Sequence, residues 1–419
     1  MGEGVLVVGA GAREHALVWA LARSPEVDRV VATPGNAGMA GLAECVDLAD
    51  DDAVVAYAAA EQLWVVVGPE APLARGLADR LAAAGVRVVG PSRAAARIES
   101  SKADAKRVMR AAGIPTAEAV VVHGWREAEA ALDRFPAGVV VKADGLAAGK
   151  GVTVCEDRTE AAAALRALLV DDALGPAGRT VVLEERLAGE EMSVMVVTDG
   201  TRFAYLPPAR DYKRLGTGDV GPNTGGMGAV APHPAWTPAL ADEVAARIID
   251  PVLTQLRREG RPFRGVLYAG LMLTAEGPKV LEFNARFGDP EATVMLPLLE
   301  DDLFPWLVAA GGGPWPARAP RWTGAAVGVV LAAPGYPGRV ATGIPITVEP
   351  GEGAVVFHAA TVRDGAGRLV NGGGRSLVAV GLGSDPETAR KRAYAQVERI
   401  RFEGAQWRRD IGETSRPGR

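Results

Sequence analysis

The chain has 419 residues, 48% of them hydrophobic, with a formal net charge of −5 and no basic run. That length leaves room for roughly two to four domains with sizeable cores, and the absence of a Lys/Arg stripe argues against a nucleic-acid partner. No apolar run reaches transmembrane length, and "MGEGVLVVGAGAREHA" passes straight into a strand pattern without a basic segment or small-residue cleavage site, so a cytoplasmic protein with no membrane association is expected.

The first hundred residues alternate strand and helix. Strand patterns are "GVLVVGAG" (4–11), "RVVATPGN" (29–36), "LWVVVGPE" (63–70) and "VRVVGPS" (86–92). Helix patterns are "REHALVWALARS" (13–24) and "PLARGLADRLAAAG" (72–85), the second closed by Gly85. Short apolar strands separated by helices predict a parallel, doubly wound sheet. Each strand runs out into a glycine-bearing loop, where open α/β sheets bind ligands. "GAGARE" is not a dinucleotide fingerprint, because Glu14 takes the third-glycine position and "ATPGN" stands where a ribose-binding acid is needed. A single phosphate at the helix start, with Arg13 beside it, fits better. His15 reads as a satisfied helix histidine.

The next helix is "SSKADAKRVMRAAGIP" (100–115), with Ser101 and Asp104 at capping-box spacing and Gly113 and Pro115 as its stop. A small segment follows over 119–189: strand "GVVVKADG", a glycine loop, strand "GVTVCE", a helix near 158–170 and strand "TVVLEERL". Residues 190–323 are again strand-rich, with "MSVMVVTDG", "VLYAGLMLT" and "PKVLEFNAR". "GGGPWPARAPRWTG" (311–324) reads as a connection, and the remainder as strands and turns with a late helix, "DPETARKRAYAQVERI".

The loop "KADGLAAGKG" (142–151) looks like a phosphate loop, but Gly145 to Gly149 is one residue short and Gly151 replaces the metal-binding hydroxyl. Strand patterns flank it on both sides, whereas a P-loop feeds a helix. It is therefore predicted to be a Gly/Ala hairpin with Lys142 and Lys150 at its shoulders, small enough for backbone amides to approach phosphate oxygens. In "EFNARFGDPE" (282–291), strand periodicity puts Glu282, Asn284 and Arg286 on one face and Phe283, Ala285 and Phe287 on the other. A carboxylate beside an amide oxygen suits Mg²⁺, and Arg286 suits a phosphate or carboxylate. Lysine occurs seven times against 39 arginines, and asparagine only at 36, 223, 284 and 371, so those retained are candidates for chemistry. Cys45 and Cys155 form neither a C-x-x-C pair nor a disulfide framework, and the four histidines are scattered, which disfavours a histidine metal site.

This ordered set resembles the ATP-grasp superfamily and, within it, the family of phosphoribosylamine–glycine ligases. The motifs are "GAGAREHA" (9–16), "PGNAG" (34–38), "VGPEAPL" (67–73), "ESSKA" (99–103), "KADGLAAGKGV" (142–152), "DYKR" (211–214), "GPNTGGMGA" (221–229), "LYAGLM" (267–272), "EFNARFGDPE" (282–291), "VNGGGR" (370–375) and "RRDIG" (408–412), and they span nearly the whole chain. Ala12 departs from a common glycine and Tyr212 from a common histidine.

The resemblance implies an α/β multi-domain fold. Residues 1–100 would be the N-terminal α/β substrate-binding domain, 101–118 with 190–323 the ATP-grasp core, 119–189 a small α+β lid, and 324–419 a β-rich C-terminal domain. It implies that ATP activates glycine as glycyl phosphate and that the amine of 5-phosphoribosylamine attacks it. Lys102 and Lys142 would contact the ATP phosphates, and Gly145, Gly149, Lys150 and Gly151 would close over them. Glu184 and Leu187 would border the adenine, and Glu191, with Glu190 as the alternative, would take the ribose hydroxyls. Glu282 and Asn284 would hold Mg²⁺ or Mn²⁺, with the ligands of a second metal left open. Arg286 and Asp289 would engage glycine and the acyl phosphate, and Asp211, Lys213 and "PNTGGMG" the acceptor side. Gly9, Gly11, Arg13, Glu14, Gly35, Asn36 and Glu70 would face phosphoribosylamine. A monomer or weak homodimer is expected. Rival readings are another ATP-grasp ligase or carboxylase, a nicotinamide-dependent oxidoreductase and a silent nucleotide-binding regulator.

Overall fold

The computed structural model describes residues 2–147 and 151–413. Five parallel strands near the N-terminus lie in the order Glu44–Cys45, Val27–Pro34, Glu3–Gly9, Trp64–Val67, Val88–Val89. Helix Ala12–Leu21 covers one face through Leu17 and Leu21, and Leu73, Leu77 and Leu81 cover the other. The expected doubly wound parallel sheet is thus present. Its strand order reverses between Glu3–Gly9 and Trp64–Val67, so the loops that follow these two strands part and leave a crevice.

Two local expectations change. The helix expected over 72–85 is two helices, Glu70–Arg75 and Leu77–Ala83, because Gly76 between them has φ +92°. A left-handed residue ends one helix and lets the next start at an angle. The capping box at Ser101 is only half made. Ser101 Oγ accepts from the Asp104 amide at 3.1 Å, but the Ser101 amide bonds Arg97 O, and the Asp104 carboxylate turns to Arg107 and Arg261 at 2.9 and 2.6 Å. An additional helix, Arg93–Ser100, precedes it, capped by Ser92 Oγ.

The segment over residues 119–185 folds as an antiparallel sheet ordered Ala119–Val122, Val181–Glu185, Val139–Ala143, Val152–Cys155. Lys142 pairs with Val152 across the turn, so the glycine loop joins antiparallel strands. Gly149 and Lys150 lie outside the described residues. The central antiparallel sheet is ordered Phe203–Tyr205, Glu190–Thr198, Gly265–Thr274, Gly277–Asn284, with Glu282 opposite Gly270. A last five-stranded sheet is ordered Arg210–Asp211, Gly228–Ala231, Ala325–Ala332, Arg375–Gly383, Ala354–His358. Its first two strands come from before the Gly/Pro/Trp connection, which puts Asp211 on its edge. Helix Pro386–Glu398 packs on it through Ala389, Ala393 and Val397. Among the described residues no helix is long and apolar enough to cross a membrane.

Candidate active site

Two adjoining chambers, about 430 and 670 Å³, open where the lid sheet, the central sheet and the N-terminal crevice meet. Glu184, Asp211, Lys213, Thr224, Tyr268 and Glu282 line both. Arg13, Glu70, Lys102, Gly151, Asn284, Arg286 and Asp289 belong to the smaller chamber, and Lys142, Leu187 and Glu191 to the larger. Residues up to 276 apart in sequence, Arg13 and Asp289, therefore converge, carried by strands and by the loops and helix starts that follow strands.

The alternation in "EFNARF" holds in three dimensions. Phe283, Ala285 and Phe287 are buried in the core, while Glu282, Asn284 and Arg286 face the cleft. Burial pushes the Glu282 carboxyl up, but Lys213, Lys142, Lys102 and Arg286 outweigh it and hold the group below the usual carboxylate range. Glu282 is thus an ionised carboxylate with the Asn284 side chain on the same face. This donor pair fits a divalent cation that takes its remaining ligands from phosphates and water. The central strand Gly265–Thr274 presents Gly270 opposite Glu282, so no second acid is offered from that position.

The lysines divide the cleft. Lys142 Nζ lies 2.9 Å from Glu184 Oε2 and donates to Leu281 O at 3.1 Å. Lys102 sits at the start of helix Lys102–Ala111, its Nζ 3.5 Å from Gly145 O. Lys213 Nζ is 2.6 Å from Glu191 and 3.3 Å from Asp211. Burial lowers Lys213, yet Asp211 and Glu191 override it and hold the ammonium well above its ordinary range. For Asp211, burial is the largest influence, and with Glu291 and Glu191 it outweighs Lys213, so its carboxyl is raised. Glu190 pairs with Arg210 at 3.0 Å, whereas Glu191 faces Lys213.

Arg286 is half-buried among acceptors. Its Nη2 meets Glu99 at 2.9 Å, its Nη1 donates to Phe287 O at 3.1 Å, and Glu70 lies 3.4 Å from Nε. Among the described residues Nε is buried and has no hydrogen-bond partner. Asp289 Oδ2 pairs with Arg375 at 3.1 Å.

At the N-terminal loops several of the expected site residues are engaged within the chain. Glu14 does not face the cleft; its Oε2 accepts from the Gly11 amide at 2.6 Å and its Oε1 pairs with Arg13. A Cβ at Gly9 or Gly68 would lie 2.5 or 2.2 Å from Glu14, so those glycines make room for this carboxylate. At the helix start expected to take a phosphate, the Gly11 amide is thus bonded to the helix's own acid. Asn36 is spent on structure. Its Nδ2 donates to Ala10 O and His358 O at 2.9 and 2.8 Å, and its Oδ1 accepts from the amides of Gly38 and Met39. Gly35, at φ +70°, packs on Cys45. Gly145 packs on Ala177 and does not line a chamber. Tyr212, where the family's histidine was expected, stacks between Arg210 and Arg408 at 5.1 and 5.0 Å, and its hydroxyl accepts from the Gly412 amide.

Sequence reasoning missed Lys106, Glu99, Tyr268, Glu291 and Arg375, all of which line the smaller chamber. Glu99, Tyr268, Glu291 and Arg375 stood inside quoted motifs, and Lys106 is one of the seven lysines. Tyr268 and Glu291 meet at Ser193 Oγ, 2.9 and 3.2 Å away.

A small antiparallel sheet beside a central antiparallel sheet, with Lys142 on the first, Lys102 at a helix start and an E-x-N strand end on the second, defines an ATP-grasp enzyme. The chain matches the models of phosphoribosylglycinamide synthetase in three consecutive parts: the N domain over residues 3–99, the ATP-grasp (A) domain over 100–292 and the C domain over 326–414. It is 48% identical to the phosphoribosylamine–glycine ligase of Ralstonia nicotianae, covering 97% of this chain and 98% of that one, and 48% identical to that of Mycobacterium leprae, with 99% of each covered. The crystal structure of phosphoribosylamine–glycine ligase from Thermotoga maritima superposes with a TM-score of 0.87 at 36% identity, covering 97% of this chain and 99% of that one. The biotin carboxylase domain of Hydrogenobacter thermophilus 2-oxoglutarate carboxylase shares the fold, with a TM-score of 0.75 at 18% identity, covering 97% of this chain and 92% of that one. The chain belongs to the phosphoribosylglycinamide synthetase family.

Proposed function

We propose that the protein joins glycine to 5-phosphoribosylamine at the expense of ATP, giving glycinamide ribonucleotide, ADP and phosphate. The observation that carries this reading is the pair of chambers meeting at Glu282. One is rimmed by Lys142, Leu187 and Glu191, the other by Arg13, Glu70, Asp289 and Arg375.

The nucleotide takes the larger chamber, with its adenine near Glu184 and Leu187, its ribose at Glu191 and its phosphates toward Lys142 and Lys102. Glu282 and Asn284 hold Mg²⁺, or Mn²⁺ in its place, and the ion neutralises phosphate charge. Phosphoryl transfer asks a protein for positioning and charge more than for a nucleophile. Lys102, Lys142 and Arg286 supply that charge. Arg286 and Asp289 orient glycine, and the acceptor's phosphoribosyl group enters between Arg13, Glu70 and Arg375. Asp211, whose carboxyl is raised by burial and neighbouring acids, receives the proton from the attacking amine. All these residues come from one chain, so a monomer or weak homodimer suffices. The charge of −5 and the unpaired thiols of Cys45 and Cys155 suit a reducing cytoplasm.

The test is phosphate release from ATP and Mg²⁺ with 5-phosphoribosylamine and one carboxylate at a time. Release with glycine, and not with formate or bicarbonate, is the expected result. No release with glycine overturns the reading, and release with bicarbonate instead makes the protein a carboxylase.

A further inference from the structure

Glu184 is surrounded by more positive charge than a residue bordering a nucleotide base requires. Its side chain is 2% exposed, and one oxygen, Oε2, faces two ammonium groups: Lys142 Nζ at 2.9 Å and Lys106 Nζ at 3.3 Å. The two lysines are held differently. Lys106 Nζ also donates to Thr116 Oγ1 at 2.8 Å and Ala117 O at 3.2 Å. Those two bonds and the carboxylate account for its three N–H groups, and its side chain is 5% exposed. Lys142 has Leu281 O as its other partner and stands on the wall of the larger chamber. One ammonium is fixed to the Thr116–Ala117 segment at the wall of the smaller chamber, and the other faces the larger chamber that the nucleotide would fill.

We propose that Lys106 is a positioning residue for the nucleotide, the fixed counter-ion of Glu184 whose presence lets Lys142 leave that carboxylate for the phosphates. The inference rests on the reading of Lys142 as a phosphate ligand. If Lys142 were the sole partner of Glu184, its departure would strand a buried carboxylate, which is strongly unfavourable. With Lys106 in place the carboxylate keeps a charged neighbour in either state. Burial brings Lys106 down to about 8 while Glu184 opposes the fall, so the group remains mainly protonated at neutral pH, as a counter-ion must be. Lys106 touches no substrate in this scheme; it acts through Glu184 and Lys142.

A double-mutant cycle on the full chain tests this, read by MgADP affinity and by the KM for ATP. Lys106→Met is expected to weaken MgADP by about tenfold or more, with kcat at saturating ATP changed by less than about threefold. In a Glu184→Gln background the same replacement is expected to cost less than about threefold, because there is no carboxylate left to hold. Lys106→Arg, which keeps the charge, is expected to retain most of the affinity. Equal losses from Lys106→Met in both backgrounds would overturn the proposal, since they would mark a role in tethering the 116–117 segment alone. So would an unchanged MgADP affinity in Lys106→Met. Where Lys106→Met is too unstable to assay, the comparison of Glu184→Gln with Lys106→Met/Glu184→Gln decides. A large loss there counts against the counter-ion role, and recovery of folding and affinity in the double variant supports it. Lys142→Ala separates the two readings: if it leaves MgADP affinity intact, the phosphate role of Lys142 fails, whatever Lys106 does.

Discussion

Glu282 gathers four cations, Lys213, Lys142, Lys102 and Arg286, around one carboxylate that none of them neutralises by a close ion pair among the described residues. Such an arrangement is stable when a further charged ligand completes it. Glu282→Gln keeps the shape and removes the charge, so phosphate release is expected to fall by roughly 10²–10³ while the protein stays folded. Chelating the divalent ion from the wild type should reproduce that loss. Wild-type turnover in the variant would remove Glu282 from the metal site. Asp289 is different, because its partner is Arg375 at 3.1 Å and not the lysine cluster. Asp289→Asn is expected to lower kcat by about 10² or more with MgADP affinity within about twofold, as expected of a group that acts on glycine and not on the nucleotide. Equal losses in both quantities would place it in the nucleotide site instead. At this scale the sequence was legible wherever a period carries the information: alternation alone put Glu282, Asn284 and Arg286 on one face. It failed where the partner is remote. Nothing near Asn36 announces that its amide bonds His358 O, 322 residues away, and nothing in "GAGARE" says that Glu14 folds back on Gly11.

The element that most needs explaining is the hairpin Arg214–Gly216/Val220–Asn223. Two short, poorly buried strands hold their place only with outside help. That help comes from "RRDIG". Arg408, 2% exposed, pairs with Asp219 at 2.8 Å and Asp410 at 2.7 Å and donates to Arg214 O, while the Gly218 amide bonds Asp410. Its guanidinium also stacks on Tyr212, next to Asp211 and Lys213. Arg408→Met leaves Asp410 unpaired and is expected to cost about 3 kcal/mol of stability. It should also raise hydrogen exchange across 214–223 and the KM for phosphoribosylamine more than that for ATP. If exchange rises uniformly over the chain, Arg408 is a general stabiliser and not the hairpin's anchor. The sequence supplied both motifs but not their union, because a contact between residues 219 and 408 leaves no local pattern. The same limit explains why Gly76 was read inside one helix. Its position is compatible with a helix, and only the packing that turns Leu77, Leu81 and Leu73 onto one core shows that the axis must break there.

At the scale of the molecule, the N-terminal helix meets the last sheet through a histidine pair. The His358 amide donates to His15 Nδ1 at 2.8 Å, His358 Nδ1 meets Thr361 Oγ1 at 3.1 Å, and the His15 ring packs edge-on against Phe357. The first of these bonds requires an unprotonated Nδ1. Burial, with the neighbouring His358, lowers His15 to about 3; burial, with Arg363, lowers His358 to about 4. Both folded values lie below the ordinary value of 6.5, so the folded state excludes protons that the unfolded chain accepts. Their contribution is complete above about pH 6.5 and is lost as pH falls toward the folded values, at up to about 1.4 kcal/mol per pH unit for each imidazole. Urea unfolding midpoints should therefore drop from pH 7 to pH 4.5. His358→Gln keeps the backbone amide that His15 uses and removes one titrating ring, so its midpoint should fall less steeply over that range. Parallel profiles for wild type and variant would show that acid acts elsewhere. The interface joins the first and last thirds of the chain at the helix whose first turn carries Arg13, so acid loosening there should also weaken phosphoribosylamine binding before MgADP binding. Affinities measured side by side at pH 5.5 and 7.5 check that order, and a simultaneous loss of both ligands would refute it.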